Sequence, residues 1–447
     1  MTAISSPAAT ASSSPPQKEA TLRRAIAASA MGNATEWFDY GIYAYGVTYI
    51  SAALFPGSTD EAVLFALATF AISFLVRPLG GLFWGPLGDR LGRKSVLALT
   101  ILLMSGATLC VGLIPDHASI GFWAPTLLIA LRMVQGFSTG GEYGGAATFM
   151  AEYAPDDRRG FYGSFLEFGT LAGFSLGAAL MLGFSLMLGD VAMHAWGWRI
   201  PFLVAAPMGL VGMYLRSKME DTPVFRAATA LHESPLPSPG LSLLLRRYGR
   251  PMLVVGGLVV ALNVVNYTLL SYMPTYLQRR IGLTNDEALI VPIIGMLLMM
   301  IALPFAGALS DRVGRRAMWR VSLIGLLVAV VPSYMLMATG LMGAIFGFIA
   351  LGLLYVPQLA TISATFPALF PTQVRFAGFA VAYNLSTSIF GGTAPAIGSG
   401  LIGLTGDELM PAYYMMLACI VGLIALRFMP ETAGRSLHDD PFLEKRA

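Results

Sequence analysis

Long apolar runs broken by short charged turns set the pattern of this chain. Runs of 20 residues or more fall at roughly 25–50, 62–87, 95–114, 125–150, 161–188 and 198–215, and again at about 251–277, 287–309, 318–338, 341–366, 375–404 and 411–428. Each is long enough to cross a bilayer as a helix, and they group as six plus six. The pattern predicts an all-α integral membrane protein of twelve transmembrane helices in two pseudo-symmetric six-helix bundles. The bundles are expected at 23–216 and 251–429, with a Pro-bearing linker at 217–250, a disordered tail at 1–22 and a second tail at 430–447. Arg23 and Arg24 precede a full-length span, so the start does not read as a cleaved signal peptide.

The halves repeat. Gly85-Pro-Leu-Gly-Asp-Arg-Leu-Gly-Arg-Lys94 returns 222 residues later as Gly307-Ala-Leu-Ser-Asp-Arg-Val-Gly-Arg-Arg316. Glu152-Tyr-Ala-Pro-Asp-Asp-Arg-Arg159 is echoed by Ala368-Leu-Phe-Pro-Thr-Gln-Val-Arg375, and Glu220-Asp-Thr-Pro by Pro430-Glu-Thr-Ala. Membrane proteins built from two equivalent halves usually move a solute through the seam between them.

With 56% hydrophobic and 12% charged residues, the chain has too little polar surface for a soluble globule. With the N-terminus inside, 23 of the 28 Lys and Arg fall on the cytoplasmic side, while Arg199, Arg279 and Arg280 lie outside. That asymmetry predicts two cytoplasmic termini in a multi-pass plasma-membrane protein. The net charge of +3 therefore reports topology, and no nucleic-acid partner is expected. Cys110 and Cys419 fall within spans and imply no disulfide, and the four scattered histidines show no metal spacing. Arg93 interrupts any phosphate-loop pattern, which argues against an ATP-driven pump. No catalytic activity and no cofactor are expected, and a monomer is.

The repeated turns predict a cytoplasmic gate of Asp89, Arg90, Arg93, Asp311, Arg312, Arg315, Glu220 and Glu431. Each Asp is expected to cap the helix that follows it, with Arg93 or Arg315 pairing with Glu220 or Glu431. The competing reading is that these residues are only positive-inside anchors.

Ionisable residues inside the membrane are costly and mark function by default. Glu36, Asp39, Arg77, Arg132, Glu142 and Glu167 qualify, all in the first half. The second half offers neutral groups instead, among them Asn263, Asn266, Tyr267, Tyr355, Gln358, Tyr383 and Asn384. Helical spacing puts Glu36, Asp39, Tyr40 and Tyr43 on one face, and Arg132, Gln135, Thr139 and Glu142 on another. Glycines at 136, 140 and 144, and at 169, 173 and 177, predict close approach of neighbouring helices.

The twin turns resemble the hallmark of the major facilitator superfamily. Gly32-Asn-Ala-Thr-Glu-Trp-Phe-Asp-Tyr-Gly41, Arg77-Pro-Leu-Gly-Gly81, Gln135-Gly-Phe-Ser-Thr-Gly-Gly-Glu-Tyr143 and Trp196-Gly-Trp-Arg-Ile-Pro-Phe202 are similar to its metabolite:proton symporter branch. Leu270-Ser-Tyr-Met-Pro-Thr-Tyr276 and Met410-Pro-Ala-Tyr-Tyr414 resemble the proline/betaine transporters of that branch. The resemblance implies the major facilitator fold, alternating access, and symport of a proton with a small zwitterion such as proline or glycine betaine. The alternatives are a di- or tricarboxylate or shikimate-like acid in symport with a proton, or an uncoupled uniporter. The proton-coupled sugar carriers of the superfamily place an Asp in span one against an Arg in span four, positions that Asp39 and Arg132 are similar to. Proton coupling is thereby expected of Asp39 and Arg132, with Glu36, Glu142 and Glu167 as further candidates. A permanent ion pair between helices is the competing reading. Solute binding is expected of Arg132, Trp37, Tyr40, Tyr43, Gln135, Tyr143, Asn263, Tyr267, Gln358 and Asn384. Arg132 would meet a carboxylate, and the aromatics would face the cation.

Overall fold

A computed structural model describes residues 15–91, 93–140, 142–218, 241–371, 374–437 and 442. The side chains of Asp89, Arg90, Arg93 and Glu142, and all of Glu220, lie outside what is described. The described residues are helical, with no strand among them. The first six spans are α1 (Pro15–Tyr45, continued by Val47–Leu54), α2 (Thr59–Leu91), α3 (Arg93–Gly112), α4 (Trp123–Thr139, continued by Glu142–Tyr153), α5 (Arg159–Leu188) and α6 (Ile200–Lys218). The second six are α7 (Leu241–Asn266), α8 (Asn285–Val313), α9 (Arg315–Met337), α10 (Leu341–Leu359, continued by Ile362–Thr365), α11 (Arg375–Ser386, resumed at Ala394–Thr405) and α12 (Met410–Phe428).

Among the described residues, seven helices are long and apolar enough to cross a membrane by themselves. Two ends differ from the apolar runs: α1 reaches back to Pro15, within the expected tail, and α7 begins at Leu241 and kinks at Tyr248 before Pro251. Proline suits a helical first turn, where no backbone N–H is needed. α8 opens on a capping box, Thr284 and Glu287 each satisfying the other's backbone nitrogen.

Small residues set the tightest helix pairs. A Cβ on Gly136 would fall 1.7 Å from the Ser73 carbonyl oxygen of α2, and one on Gly169 would fall 2.2 Å from that of Ala30 on α1. The glycine stripes thus draw α4 onto α2 and α5 onto α1, as van der Waals packing in lipid requires. Large side chains such as Phe83, Phe305, Val328 and Phe346 stay exposed around the outside, where lipid is their solvent.

The halves meet chiefly where α5 runs along α8, with α2 and α4 against α11 and α1 against α7. α7 continues beyond Asn266 through π-helical turns at Tyr267–Tyr272 and Leu277–Ile281, and α11 has another at Thr387–Gly391. These widened turns frequently mark functional sites; one starts directly after Asn266, and another is tied to Asn263 through Thr387.

Candidate functional site

The polar face of α1 divides between two neighbours. Glu36 accepts from Arg77 Nη2 of α2 at 3.2 Å, and both side chains are buried. The Arg77 guanidinium also lies 4.4 Å from the Phe74 ring centre and 4.9 Å from that of Tyr40. Asp39, one turn on, faces α3 and accepts from Thr108 Oγ1 at 3.0 Å, while Gln135 Nε2 of α4 donates to the same hydroxyl at 2.5 Å.

Arg132 lies 3.5 Å over the Tyr43 ring centre, its Nε and Nη2 buried without a hydrogen bond among the described residues. The competing reading, a permanent ion pair of Asp39 with Arg132, finds no direct contact between them within 4.0 Å. Thr108 holds the carboxylate and Tyr43 holds the cation. The two charges remain neighbours, since Tyr43 follows Asp39 by one turn and Gln135 follows Arg132 by one.

A separate cavity opens between the halves. Trp37, Tyr143, Glu167 and Thr170 line it from the first half, and Asn263, Asn266, Tyr355 and Tyr383 from the second, with Leu262, Leu359 and Ile362. It has room for about one water molecule, so a larger solute requires the helices to part. Tyr143 donates to Glu167 and stacks on Tyr383 at 4.6 Å between centres. Trp37 is steered by Asn33, which accepts from its Nε1 at 3.1 Å and donates to Leu166 O and Thr170 on α5. Tyr355 donates to Asn266 Oδ1 at 3.2 Å, and Asn263 donates to Thr387 of the α11 π-turn at 2.8 Å.

Other expected contact residues lie elsewhere. Tyr40 bonds Thr139, Tyr43 donates to Ala66 O, and Tyr267 joins a ring cluster with Trp37, Phe70 and Phe74, its hydroxyl unbonded among the described residues. Asn384 crosses the seam to Gly140 O at 2.9 Å. Gln358 points away from the cavity and donates to Ser322 of α9 at 2.8 Å. It mirrors Gln135 on Thr108, so both glutamines tie adjacent helices of their own half.

At the end of the bundle that carries the repeated turn, the caps are exchanged. Asp311 accepts from the backbone nitrogens of Gly160 and Phe161, at the start of α5 in the opposite half, instead of capping α9. Glu431 caps α9 through the nitrogens of Arg315 and Arg316, and the Arg315 guanidinium goes to Asp311 at 2.6 Å. Arg312 is exposed and pairs with no described residue. Gly314, at φ +94°, makes the turn and admits the Glu431 carboxylate.

Arg159 and Arg375, which end the second pair of repeated segments, gather at the same end, Arg375 pairing with Glu152 of the other half at 3.0 Å; the sequence predicts no closure at the opposite end. The outer closure found there joins Asp60 to Arg279, Tyr45 to Leu270 O and Asn285 to Tyr49. The lone signal for it was Arg279, read only as an outer-loop charge.

Comparison with known proteins agrees with this architecture. Residues 30–387 match the family model of the Major Facilitator Superfamily. The chain is 43% identical to the glycine betaine/proline/ectoine/pipecolic acid transporter OusA of Dickeya dadantii, over 93% of this chain and 85% of that protein. It is 42% identical to the proline/betaine transporter of Escherichia coli K12, with the same coverage, and 42% identical to the ectoine/proline transporter ProP of Corynebacterium glutamicum, over 95% and 86%. Among solved structures, the proton:xylose symporter XylE superposes with a TM-score of 0.73 at 19% identity, covering 95% of this chain and 99% of that one. The last likeness concerns the fold alone.

Proposed function

This chain belongs to the Major Facilitator Superfamily, and we propose that it is a proton-coupled symporter of a small zwitterion of the proline or glycine betaine class. The observation that carries the reading is the cavity shared by both halves, lined by a carboxylate, aromatic rings and side-chain amides, with closures on both sides of it. The names of the relatives support the solute class.

Transport would proceed by rocking of residues 23–216 against 251–429 about this cavity, in a monomer with both termini cytoplasmic. Asp39 is assigned the proton. Its buried carboxylate is held by Thr108 of α3 and lies near Arg132 of α4, so a small shift of α1 against α3 and α4 changes what surrounds it. A di- or tricarboxylate would need two cations, yet Arg77 is already paired with Glu36, which leaves Arg132 alone. The test is uptake of labelled proline and glycine betaine into proteoliposomes under an imposed proton gradient. Accumulation should collapse when a protonophore is added, and accumulation indifferent to the protonophore would sink the coupling.

A further inference from the structure

Glu167 is the unbalanced charge of the central cavity. It forms no ion pair among the described residues: Arg77 is paired with Glu36, and Arg132 lies over Tyr43. The phenol of Tyr143 donates to it, with Thr170 also beside it, and the ring of that phenol stacks on Tyr383. Trp37 and Tyr355 complete the lining beside it. A buried anion without a cation is costly, and aromatic faces attract cations, most of all weakly hydrated ammonium groups.

Next to Tyr355, the lining also offers an amide. Asn266 gives its Oδ1 to the Tyr355 hydroxyl, which leaves its amide nitrogen as a donor. We propose that Glu167, with the rings of Trp37, Tyr143, Tyr355 and Tyr383, forms the subsite for the ammonium end of the solute, and that Asn266 donates to its carboxylate.

This rests on the zwitterion reading above and gives Glu167 a binding role distinct from the proton role assigned to Asp39. It also explains why the cavity needs no arginine. A solute bringing its own cation neutralises Glu167, whereas a dicarboxylate would add repulsion. A quaternary ammonium and the secondary ammonium of proline both fit such a cage, because ring faces read charge and size more than hydrogen-bond direction.

The experiment uses the full chain in proteoliposomes without a gradient and follows glycine betaine counterflow, with 3,3-dimethylbutanoate as competitor. This competitor replaces the trimethylammonium group by an uncharged tert-butyl group of the same shape. The wild type should prefer betaine by about tenfold or more, the size expected of a desolvated cation–π and ionic site. Glu167→Gln should cut that preference to about threefold or less, and Tyr143→Phe, which keeps the ring, should retain most of it.

In detergent, tetramethylammonium chloride should raise the Tm of the wild type above that in sodium chloride, and should not do so for Glu167→Gln. A wild type that binds the uncharged competitor as well as betaine overturns the subsite, and so does a Glu167→Gln protein that keeps full preference. Glu167→Gln with normal counterflow but no gradient-driven uptake makes Glu167 the proton carrier and overturns it too. A wild type stabilised by tetramethylammonium through Glu167, yet taking up neither proline nor betaine, overturns the functional reading while leaving the cation subsite standing.

Discussion

Asp311, near the end of α8, caps the first turn of α5 in the opposite half, taking hydrogen bonds from the nitrogens of Gly160 at 2.8 Å and Phe161 at 2.9 Å. The carboxylate thus meets the positive end of a helix across the seam between the halves, on the side assigned above to the cytoplasm. Its own charge is held by Arg315. Hydrogen bonds to a charged group are worth about 1.5–3 kcal/mol each, less what water returns on opening. Replacing Asp311 with Ala should shift the cytoplasmic side toward open by about 2 kcal/mol, or roughly thirtyfold. The measure is the labelling rate of a cysteine placed on the cytoplasmic part of α5, in a background lacking Cys110 and Cys419.

The same contact has a steric half. A Cβ on Gly307 would fall 2.5 Å from the Gly160 carbonyl oxygen, and one on Gly160 would fall 2.5 Å from that of Gly307. Backbone cannot yield as a side chain would, so Gly307→Ala should push α8 off α5 at a cost of about 1–3 kcal/mol. Gly106→Ala is the control, because nothing lies within 4 Å of a Cβ there. Uptake should fall for the first and remain for the second, and equal loss in both would remove the steric argument.

The twelve spans and the glycine stripes were legible because each is a local pattern, a run length or a spacing of four. Partners across helices were harder to read. Thr108 decided where Asp39 points, yet a threonine in a span usually bonds its own preceding turn, and Thr108 does that as well, to Met104 O. Gln358 and Asn263 looked equivalent as polar groups in apolar helices, but one ties α10 to α9 and the other lines the cavity. The second copy of the repeated turn marks where Asp311, Arg315 and Glu431 meet. The exchange of caps there was not legible, since the nearest orphan backbone nitrogens belong to another helix once the halves pack.

Asp39→Asn keeps an acceptor for Thr108, so α1 should still pack on α3. What it loses is the ability to release a proton. One proton moving down one pH unit supplies about 1.4 kcal/mol, which supports about tenfold accumulation of solute. The variant should therefore bring gradient-driven uptake down to the equilibrium level while exchange of solute for solute continues. Retained accumulation would take Asp39 out of the coupling step.

Arg159 and Arg375 occupy matching places in the two halves, each with Nε on a carbonyl eight residues earlier, Ala151 O and Pro367 O, both at 3.2 Å. They also hold one strand of chain between them. Arg159 donates to Arg435 O at 3.1 Å, and Arg375 donates to Leu437 O and to Glu152 Oε1 of the other half. Truncation after Thr432 would leave Glu431 in place and remove both carbonyl acceptors. Cytoplasmic accessibility should rise by about tenfold, roughly one charge-assisted hydrogen bond once water has replaced part of the loss. No change in accessibility would show that Glu152 and the Asp311 cap suffice.

The outer closure should yield more easily than the inner one. Asp60 and Arg279 form its ion pair, but the two side chains are 63% and 28% exposed, whereas Asp311 and Arg315 are 8% and 1% exposed. An exposed pair contributes about 0–1 kcal/mol and weakens with salt, since charges are screened over about 8 Å at physiological ionic strength. Asp60→Asn should therefore change outward accessibility by less than about fivefold, with the difference shrinking further in high salt. Tyr45→Phe removes a buried hydroxyl that donates to Leu270 O at 2.9 Å on the far side of the seam. It should open the outer side more than Asp60→Asn does, by an amount insensitive to salt. The reverse order in a cysteine-labelling assay at two salt concentrations would show that the surface ion pair, and not the buried hydroxyl, governs outward opening.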